Sequence, residues 1–298
     1  IFEKSRGPGG RLASKRIAES RADIGAQFFT VRDPRFESII TDAIAAGAAN
    51  KWQPRMGKIV NSEVVASPDS QQRYVGTPYM NALAHYLAEN ITIAYETRFD
   101  KVTSINNHFV LTTKDGKNFT ADQVLVTTPA SQMADLLQDF DPHLISVEFE
   151  MDPTWTSVFE IQAQLKTTDG EYLDACFGGR HPAIDFVAME CSKPRRASNY
   201  LVVHAKPDFS KNHLDASTND ILFRIKHEFE KVFNIKAKPV LSHRWRFARP
   251  KYPGKTSQKG VYKLAPNLWL AGDYLAGGRV EGAYLSGLEA AARLRCCL

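Results

Sequence analysis

Apolar positions along the chain change their spacing several times, and each change predicts a different element. Between Pro34 and Ala46, Phe36, Ile39, Ile40 and Ala43 fall on one face at helical spacing. The stretch from there to Ser70 reads as polar and irregular. Thr77-Pro78 then has the form of a helix start, a hydroxyl cap before a first-turn proline, and Met80, Leu83, Ala84 and Leu87 trace one apolar face behind it. The period next shortens to two. Ile91 to Ala94, Lys101 to Ile105, His108 to Thr113, Asn118 to Thr120 and Gln123 to Thr127 predict short strands, with Asp115-Gly116 as a hairpin turn. Val124-Leu-Val-Thr-Thr-Pro129 is a buried strand running into a proline turn, followed by a short helix over Ala130 to Leu137.

From about Pro142 to Pro253 apolar segments alternate with polar turns: Val147 to Met151, Ser157 to Leu165, Ala183 to Met189 and Tyr200 to His204. This predicts an antiparallel sheet. One helix interrupts it, Asn219 to Val232, with Leu222, Ile225, Phe229 and Val232 at helical intervals, and Leu241 to Phe247 leads back out. No internal repeat is visible. The α/β pieces at the two ends therefore predict a Rossmann-like domain over 1–35, 75–135 and 258–298, with an antiparallel-sheet domain over 36–74 and 136–257 inserted into it.

The most informative run is Leu268 to Gly287, a buried strand, a glycine-rich turn and a helix start in that order. Its strand delivers the Asp273 carboxylate toward a helix N-terminus, whose unpaired N–H groups and partial positive charge suit a phosphate or an electron-rich ring. Gly282 allows close approach to the backbone. The first residues complement it. Ile1-Phe2-Glu3 reads as the end of a buried strand closing on an acid, the position that bonds a ribose hydroxyl in a dinucleotide-binding unit, and Gly7-Pro-Gly-Gly-Arg11 follows. No GxGxxG occurs in the sequence, so the preceding strand and glycine turn are expected upstream of Ile1.

Length and charge add modest constraints. At 298 residues the chain suits two domains. The balance of 38 Lys and Arg against 33 Asp and Glu fits an anionic small ligand, and equally a solvated surface. No apolar run reaches the ~18 residues of a membrane span and no signal peptide opens the chain, so a cytoplasmic protein is expected, with neither membrane nor nucleic acid as partner. Cys176, Cys191, Cys296 and Cys297 lack CxxC spacing and are expected to be reduced. Gly254-Lys-Thr-Ser257 is not a phosphate loop, because Arg249 stands where its first glycine should be. Ser192-Lys-Pro-Arg-Arg196 reads as a solvated turn. With no GxSxG or HExxH, and eight histidines without ligand spacing, hydrolase and metal chemistry are not expected. His204 and His243 are pocket or structural histidines. Arg279, between a glycine and Val280-Glu281, either faces the ligand at the helix start or pairs with Glu281.

Taken together, Phe2 to Arg11, Asp23-Ile-Gly-Ala-Gln-Phe-Phe-Thr30, Arg73-Tyr-Val-Gly76 with Pro78 and Met80, Pro153-Thr-Trp155, Ser192-Lys-Pro194, Val203-His-Ala205, His243-Arg-Trp245, Gly272-Asp273 and Gly278 to Ala283 resemble the amine-oxidase superfamily of flavoproteins, and within it the bacterial renalase-like group. The resemblance spans nearly the whole chain. It implies an FAD/NAD(P)-binding Rossmann-like fold and FAD as cofactor. It implies Glu3 and Lys4 at the adenosine, Val102 at the adenine and Arg11 at the pyrophosphate. Gly25, Ala26, Gln27 and Phe28 would lie near the flavin, Gly272 and Asp273 on the ribityl-phosphate side, and Gly282 and Ala283 at the pyrimidine edge. Renalase-like proteins oxidise the 2- and 6-dihydro isomers of NAD(P)H to NAD(P)+ and pass the electrons to O2, giving H2O2. Amine oxidases usually carry an aromatic cage residue where this chain has Arg279, which disfavours a cationic amine. The expected substrate pocket is Arg279, His204, Trp245 and Trp155, acting by orientation, shape and charge. A flavin amine or polyamine oxidase is the alternative enzyme, and an incomplete, non-catalytic fragment is the alternative of another class.

Overall fold

Short strands and helices alternate from the first residues of the computed structural model, which describes residues 1–106, 108–140, 150–195, 198–251 and 260–295. A hairpin opens it, β1 (Ser14–Ile17) and β2 (Ser20–Asp23). Helix α1 (Pro34–Ala45) starts where the Asp33 side chain accepts the Arg35 N–H and Pro34 takes the first turn, and it buries Phe36, Ile40 and Ala43. The segment read as irregular, to Ser70, forms three strands instead, β3 (Ala49–Trp52), β4 (Met56–Val60) and β5 (Glu63–Ala66), and β6 (Arg73–Gly76) follows it. Each is only four or five residues long, with exposed polar positions between the buried ones, so the period of two is too brief to stand out. Thr77-Pro78 is likewise not a helix start. Its peptide bond is cis, and α2 (Ala82–Leu87) begins behind Asn81, with Met80 packing just ahead of it.

The meander follows as β7 (Phe99–Ile105), β8 (His108–Thr113) and β9 (Asn118–Ala121), turning at Gly116, whose φ is +83°. The strand expected over Ile91 to Ala94 contributes a single parallel bridge between Ala94 and Phe2. Next come β10 (Val124–Val126) and α3 (Ala130–Leu136), then β11 (Met151–Glu160), β12 (Leu165–Lys166), β13 (Tyr172–Leu173), β14 (Ala175–Phe177), β15 (Ile184–Met189) and β16 (Tyr200–Ala205). The expected strand over Val147 to Met151 lies largely outside the described residues, as do Gly254 to Ser257, Cys296 and Cys297. Helices α4 (Pro207–Asn212) and α5 (Thr218–Phe233) precede the long β17 (Lys238–Pro250), and β18 (Val261–Ala265), β19 (Leu268–Ala271) and α6 (Val280–Arg295) close the chain.

Seven strands form the main sheet in the order β17-β11-β16-β15-β14-β4-β5. All its pairings are antiparallel except β14 with β4, which makes the expected antiparallel sheet a mixed one. Its two faces have different partners. On one face Trp155, Phe159, Leu201, Val203 and Ala205 pack on Ile221, Ile225 and Phe229 of α5. Each of the Val, Leu, Ile and Phe side chains among them stabilises the layer by roughly 1.5–3 kcal/mol. On the other, Val158 and Val202 meet Ala22 and Ile24, while Ala175, Phe186 and Ala188 meet Phe29, Phe36 and Trp52. Alternation along β16 therefore puts His204 on the same face as Val202, toward the segment after β2. A second sheet, β10-β19-β18, has β10 and β19 parallel and packs with the meander around Val102, Leu268 and Tyr274. Among the described residues no helix is long and apolar enough to cross a membrane.

Candidate active site

The segment that leaves β2 passes so close to the Gly10–Leu12 turn that only glycine fits at position 25. A Cβ on Gly25 would stand 1.9 Å from the Arg11 carbonyl oxygen, and the Ala26 N–H donates to that same oxygen at 2.9 Å. Arg11 turns its guanidinium the other way, donating to Asp273 Oδ2 at 2.9 Å and to the Ala248 carbonyl at 3.0 Å. Asp273 is buried at the carboxyl end of β19 and next to Gly272. At the same end of the parallel neighbour β10, the Thr128 hydroxyl is buried with no hydrogen-bond partner. Ligands of open α/β sheets bind beyond the carboxyl ends of the strands, the end at which the Arg11–Asp273 pair and the Thr128 hydroxyl both stand.

Helix α6 starts at this place. Gly277 and Gly278 turn the chain at φ +88° and +72°, and a Cβ on Gly282 would stand 2.1 Å from the Ala276 carbonyl oxygen. Glu281 does not pair with Arg279. Its Oε1 accepts the backbone N–H groups of Arg32 and Asp33 at 2.6 and 2.8 Å, which ties the helix start to the segment after β2. Arg279 is exposed, and among the described residues its guanidinium makes no hydrogen bond or ion pair.

Behind the same segment lies a buried ionic cluster, where the sequence suggested a solvated turn. Lys193 is fully buried and donates to Glu190 Oε1 at 2.7 Å, Asp23 Oδ2 at 2.9 Å and Gln27 Oε1 at 3.1 Å. Arg195 bonds both Asp23 and Glu190. Burial pushes the Asp23 carboxyl upward, but Lys193, Arg195 and a 2.6 Å hydrogen bond from Ser14 outweigh it and hold it below the ordinary carboxylate value. Gln27 passes the cluster on to His204: its amide nitrogen lies 2.6 Å from the Asp23 carbonyl, 3.1 Å from that of Gly25 and 3.3 Å from His204 Nε2. Burial lowers the His204 ring to about 4, the nearby Asp185 opposing only in part.

The expected pocket residues separate. Trp245 joins His204 at this segment through a 2.8 Å bond from its indole N–H to the Ile24 carbonyl, with His243 edge-on at 4.6 Å. Trp155 lies on the opposite face of the sheet, buried in the α5 core with its indole donating to the His213 carbonyl at 3.1 Å. Phe28 stands against Phe186, the cross-strand neighbour of His204, at 5.6 Å, and the Arg73 guanidinium lies 5.2 Å from its ring centre. Of the expected cofactor positions, Arg11, Gly25, Ala26, Gln27, Phe28, Gly272, Asp273 and Gly282 surround the Arg11–Asp273 pair and the segment after β2. Ala283 is exposed on the first turn of α6. Glu3, Lys4 and Val102 form a separate group: Glu3 accepts the Ser5 N–H at 2.7 Å, Lys4 donates to Gln132 at 2.9 Å, and Val102 is buried in the meander core. Sequence reasoning missed Asp23, Glu190, Lys193, Arg195 and Thr128. The signal for the cluster was thin, an acid between the apolar residues Ala22 and Ile24.

The sequence profile of the family described as flavin containing amine oxidoreductase matches residues 54–295. An oxidoreductase from Methanosarcina mazei superposes with a TM-score of 0.72 at 11% identity, over 98% of this chain and 93% of that one. A fatty acid isomerase from P. acnes gives 0.69 at 10%, over 97% and 91%, and a putrescine oxidase bound to putrescine gives 0.66 at 9%, over 99% and 93%. At these identities the likeness establishes the fold.

Proposed function

From the premise that the chain belongs to the flavin containing amine oxidoreductases and is an FAD-dependent oxidoreductase, we propose that its substrate is a dihydronicotinamide, oxidised from a 2- or 6-dihydro isomer to NAD(P)+ with O2 reduced to H2O2. The residues fit the cofactor. A buried, unpartnered Thr128 hydroxyl and the Arg11 cation stand at the carboxyl end of the parallel strands, beside turns at Gly25 and Gly282 that tolerate no side chain. In this reading Arg11 and Thr128 hold the pyrophosphate, Asp273 aims Arg11, and Gly25 to Phe28 with Gly282 and Ala283 flank the isoalloxazine. When bound, FAD supplies the two-electron acceptor.

The observation that carries the substrate choice is Arg279. Glu281 spends its carboxylate on the Arg32 and Asp33 amides, which leaves the Arg279 cation unneutralised at the start of α6. A fixed positive charge there repels an ammonium substrate and attracts the phosphates or carboxamide of a dihydronicotinamide. His204, Trp245 and Phe28 orient the substrate, and no strong general base is needed because hydride leaves a carbon whose ring becomes aromatic.

The test mixes holoenzyme anaerobically with 2- and 6-dihydro-NAD(P) and, separately, with a panel of mono-, di- and polyamines, following loss of flavin absorbance. Fast bleaching by the dihydronicotinamides, with the apparent Kd from its concentration dependence raised at least tenfold in Arg279→Met, is expected. Bleaching by amines alone overturns the reading in favour of a polyamine oxidase.

A further inference from the structure

We infer that Arg249 is a specificity-determining residue: its guanidinium, aimed by Asp185, binds the phosphate next to the nicotinamide riboside, so that the enzyme selects dihydronicotinamide nucleotides over dihydronicotinamides without phosphate. The assignment of that phosphate to a substrate rests on the function proposed above, whereas the anion site itself does not.

Two irregularities in the main sheet build the place. Ile184 and Phe186 of β15 face Ala205 and His204, consecutive residues of β16, so Asp185 is the extra residue of a β-bulge. On β17 the step from Trp245 to Arg249 lies opposite only the step from Thr154 to Asp152 of β11, a second bulge. Bulges re-aim side chains and recur beside active sites. Here they bring together side chains whose strands have β11 and β16 between them, and Arg249 Nη2 donates to Asp185 Oδ2 at 2.9 Å. Both ends of the pair touch the site. Ala248, just before Arg249, gives its carbonyl to Arg11 at 3.0 Å, and Phe186, just after Asp185, meets Phe28 and pairs with His204. The pair therefore links the Arg11–Asp273 side of the site to His204, whose ring feels both of its charges.

Arg249 has donors left for a ligand. Among the described residues its guanidinium makes that one hydrogen bond, and 43% of the side chain is exposed. Asp152, its cross-strand neighbour, makes no ion pair with it among the described residues. Asp185 is shared, because Lys206 donates to its other oxygen at 2.9 Å and to the Gly179 carbonyl at 3.0 Å. Burial raises the Asp185 carboxyl, but Arg249 and Lys206 outweigh it and hold the group below the ordinary carboxylate value, so it stays ionised. One carboxylate thus faces two cations, and four of the five guanidinium N–H groups are unused. A planar fork of this kind takes two phosphate oxygens at once, which the point charge of a lysine does not reproduce. A phosphate one ribose removed from a ring at His204 meets that fork.

The test mixes holoenzyme, Arg249→Lys and Arg249→Met anaerobically with 6-dihydronicotinamide mononucleotide and with the matching riboside, which lacks only the phosphate. Kd comes from the concentration dependence of flavin bleaching. The native enzyme should bind the mononucleotide about thirtyfold more tightly than the riboside, the ratio should fall below about threefold in Arg249→Met, and Arg249→Lys should lie between. A ratio unaltered in Arg249→Met overturns the inference, because both ligands are then weakened alike, as a purely structural role requires. The pyrophosphate of FAD is the other source of such a phosphate, so the Kd for FAD is measured on all three proteins. It should not change, and loss of FAD from Arg249→Met assigns the arginine to the cofactor and also overturns the inference. If neither dihydronicotinamide bleaches the flavin, the proposed substrate is wrong, and inorganic pyrophosphate titrated against the flavin spectrum of holoenzyme still decides the anion site. A spectral change that disappears in Arg249→Met upholds it, and no change in either protein, or the same change in both, refutes it.

Discussion

Replacing Lys193 by Met tests whether the buried cluster holds the segment after β2 in place. Lys193 is fully exchanged from water for three acceptors at 2.7 to 3.1 Å, so its removal leaves Asp23 and Glu190 sharing Arg195 alone. Breaking a buried pair in this way costs about 3–5 kcal/mol, because the surviving charge stays desolvated. Methionine fills similar volume, so little of the loss comes from a cavity. The penalty carries a pH signature. In the native protein the Asp23 carboxyl is held below its ordinary value, so its contribution is present above the unfolded pKa and is lost only as pH falls through the lower folded one. Without Lys193, burial dominates and the carboxyl moves up, so the folded variant takes up a proton at a pH where the unfolded chain has not. The difference between the two proteins should therefore be greatest near pH 8 and shrink toward pH 5. Urea denaturation of both holoenzymes at saturating FAD, followed by tryptophan fluorescence, measures it. Adding Glu190→Gln to Lys193→Met restores charge balance and should recover roughly half of the loss. A penalty below about 1 kcal/mol at pH 8, or one independent of pH, refutes the electrostatic account.

Three other outcomes follow from single contacts. Gly25→Ala puts a Cβ 1.9 Å from the Arg11 carbonyl, so the two turns must part; purified protein should lose most of its flavin, read as the ratio of flavin to protein absorbance, while Gly287→Ala in helix α6, with open space around it, should keep it. Glu281→Ala removes the acceptor for the Arg32 and Asp33 amides, at a cost of roughly 3 kcal/mol for two charge-assisted hydrogen bonds, and those two amides should exchange with deuterium faster than their neighbours. His204→Phe should flatten the acid limb of stability. The folded ring titrates at about 4, below the unfolded value near 6.5, so the unfolded chain binds the extra proton and native stability falls as pH drops between them, by at most about 3 kcal/mol. A slope unchanged in the variant, measured by urea titration at steps across that window, removes His204 as its source.

What could be read from the sequence follows the range of the forces involved. Helices α1 and α5 and strand β19 are specified locally, by a cap and by an apolar period over a dozen residues or by one apolar run, and the sequence places them within a few residues. Glycines with backbone roles are also local: Gly282 could be singled out because a strand and a helix flank it. Strands β3 to β6 were hidden by brevity, and Lys193 by distance. A lysine next to a proline and two arginines reads as solvated until Asp23, 170 residues earlier, is seen to close over it. Trp155 shows the converse. Its neighbours suggest a pocket, yet strand alternation decides which face it takes, and a neighbouring position, Thr156, pairs with His204 instead. Parity of that kind depends on register with β16 and β17, which no local pattern records.

The segment from Asp23 to Asp33 is the part of the molecule where these long-range terms meet. Trp245 of β17 holds the Ile24 carbonyl, Lys193 and Arg195 hold Asp23, and Lys193 also holds Gln27. Tyr74 of β6 pairs with Phe29 through both backbone groups at 2.9 Å, and Glu281 of α6 holds Arg32 and Asp33. Beyond the end of β2 this segment forms a single bridge, and it is held by five residues drawn from across the chain. A loop held only at its ends would lose orientation on the scale of an ångström, which is enough to cost a hydride transfer much of its rate. Fixing each residue separately removes that freedom before any ligand arrives. The ordering cost is met during folding, so Gly25 to Gln27 have little conformational entropy left to lose on binding a ligand. Polar groups buried behind the site, and not only those lining it, therefore set its geometry.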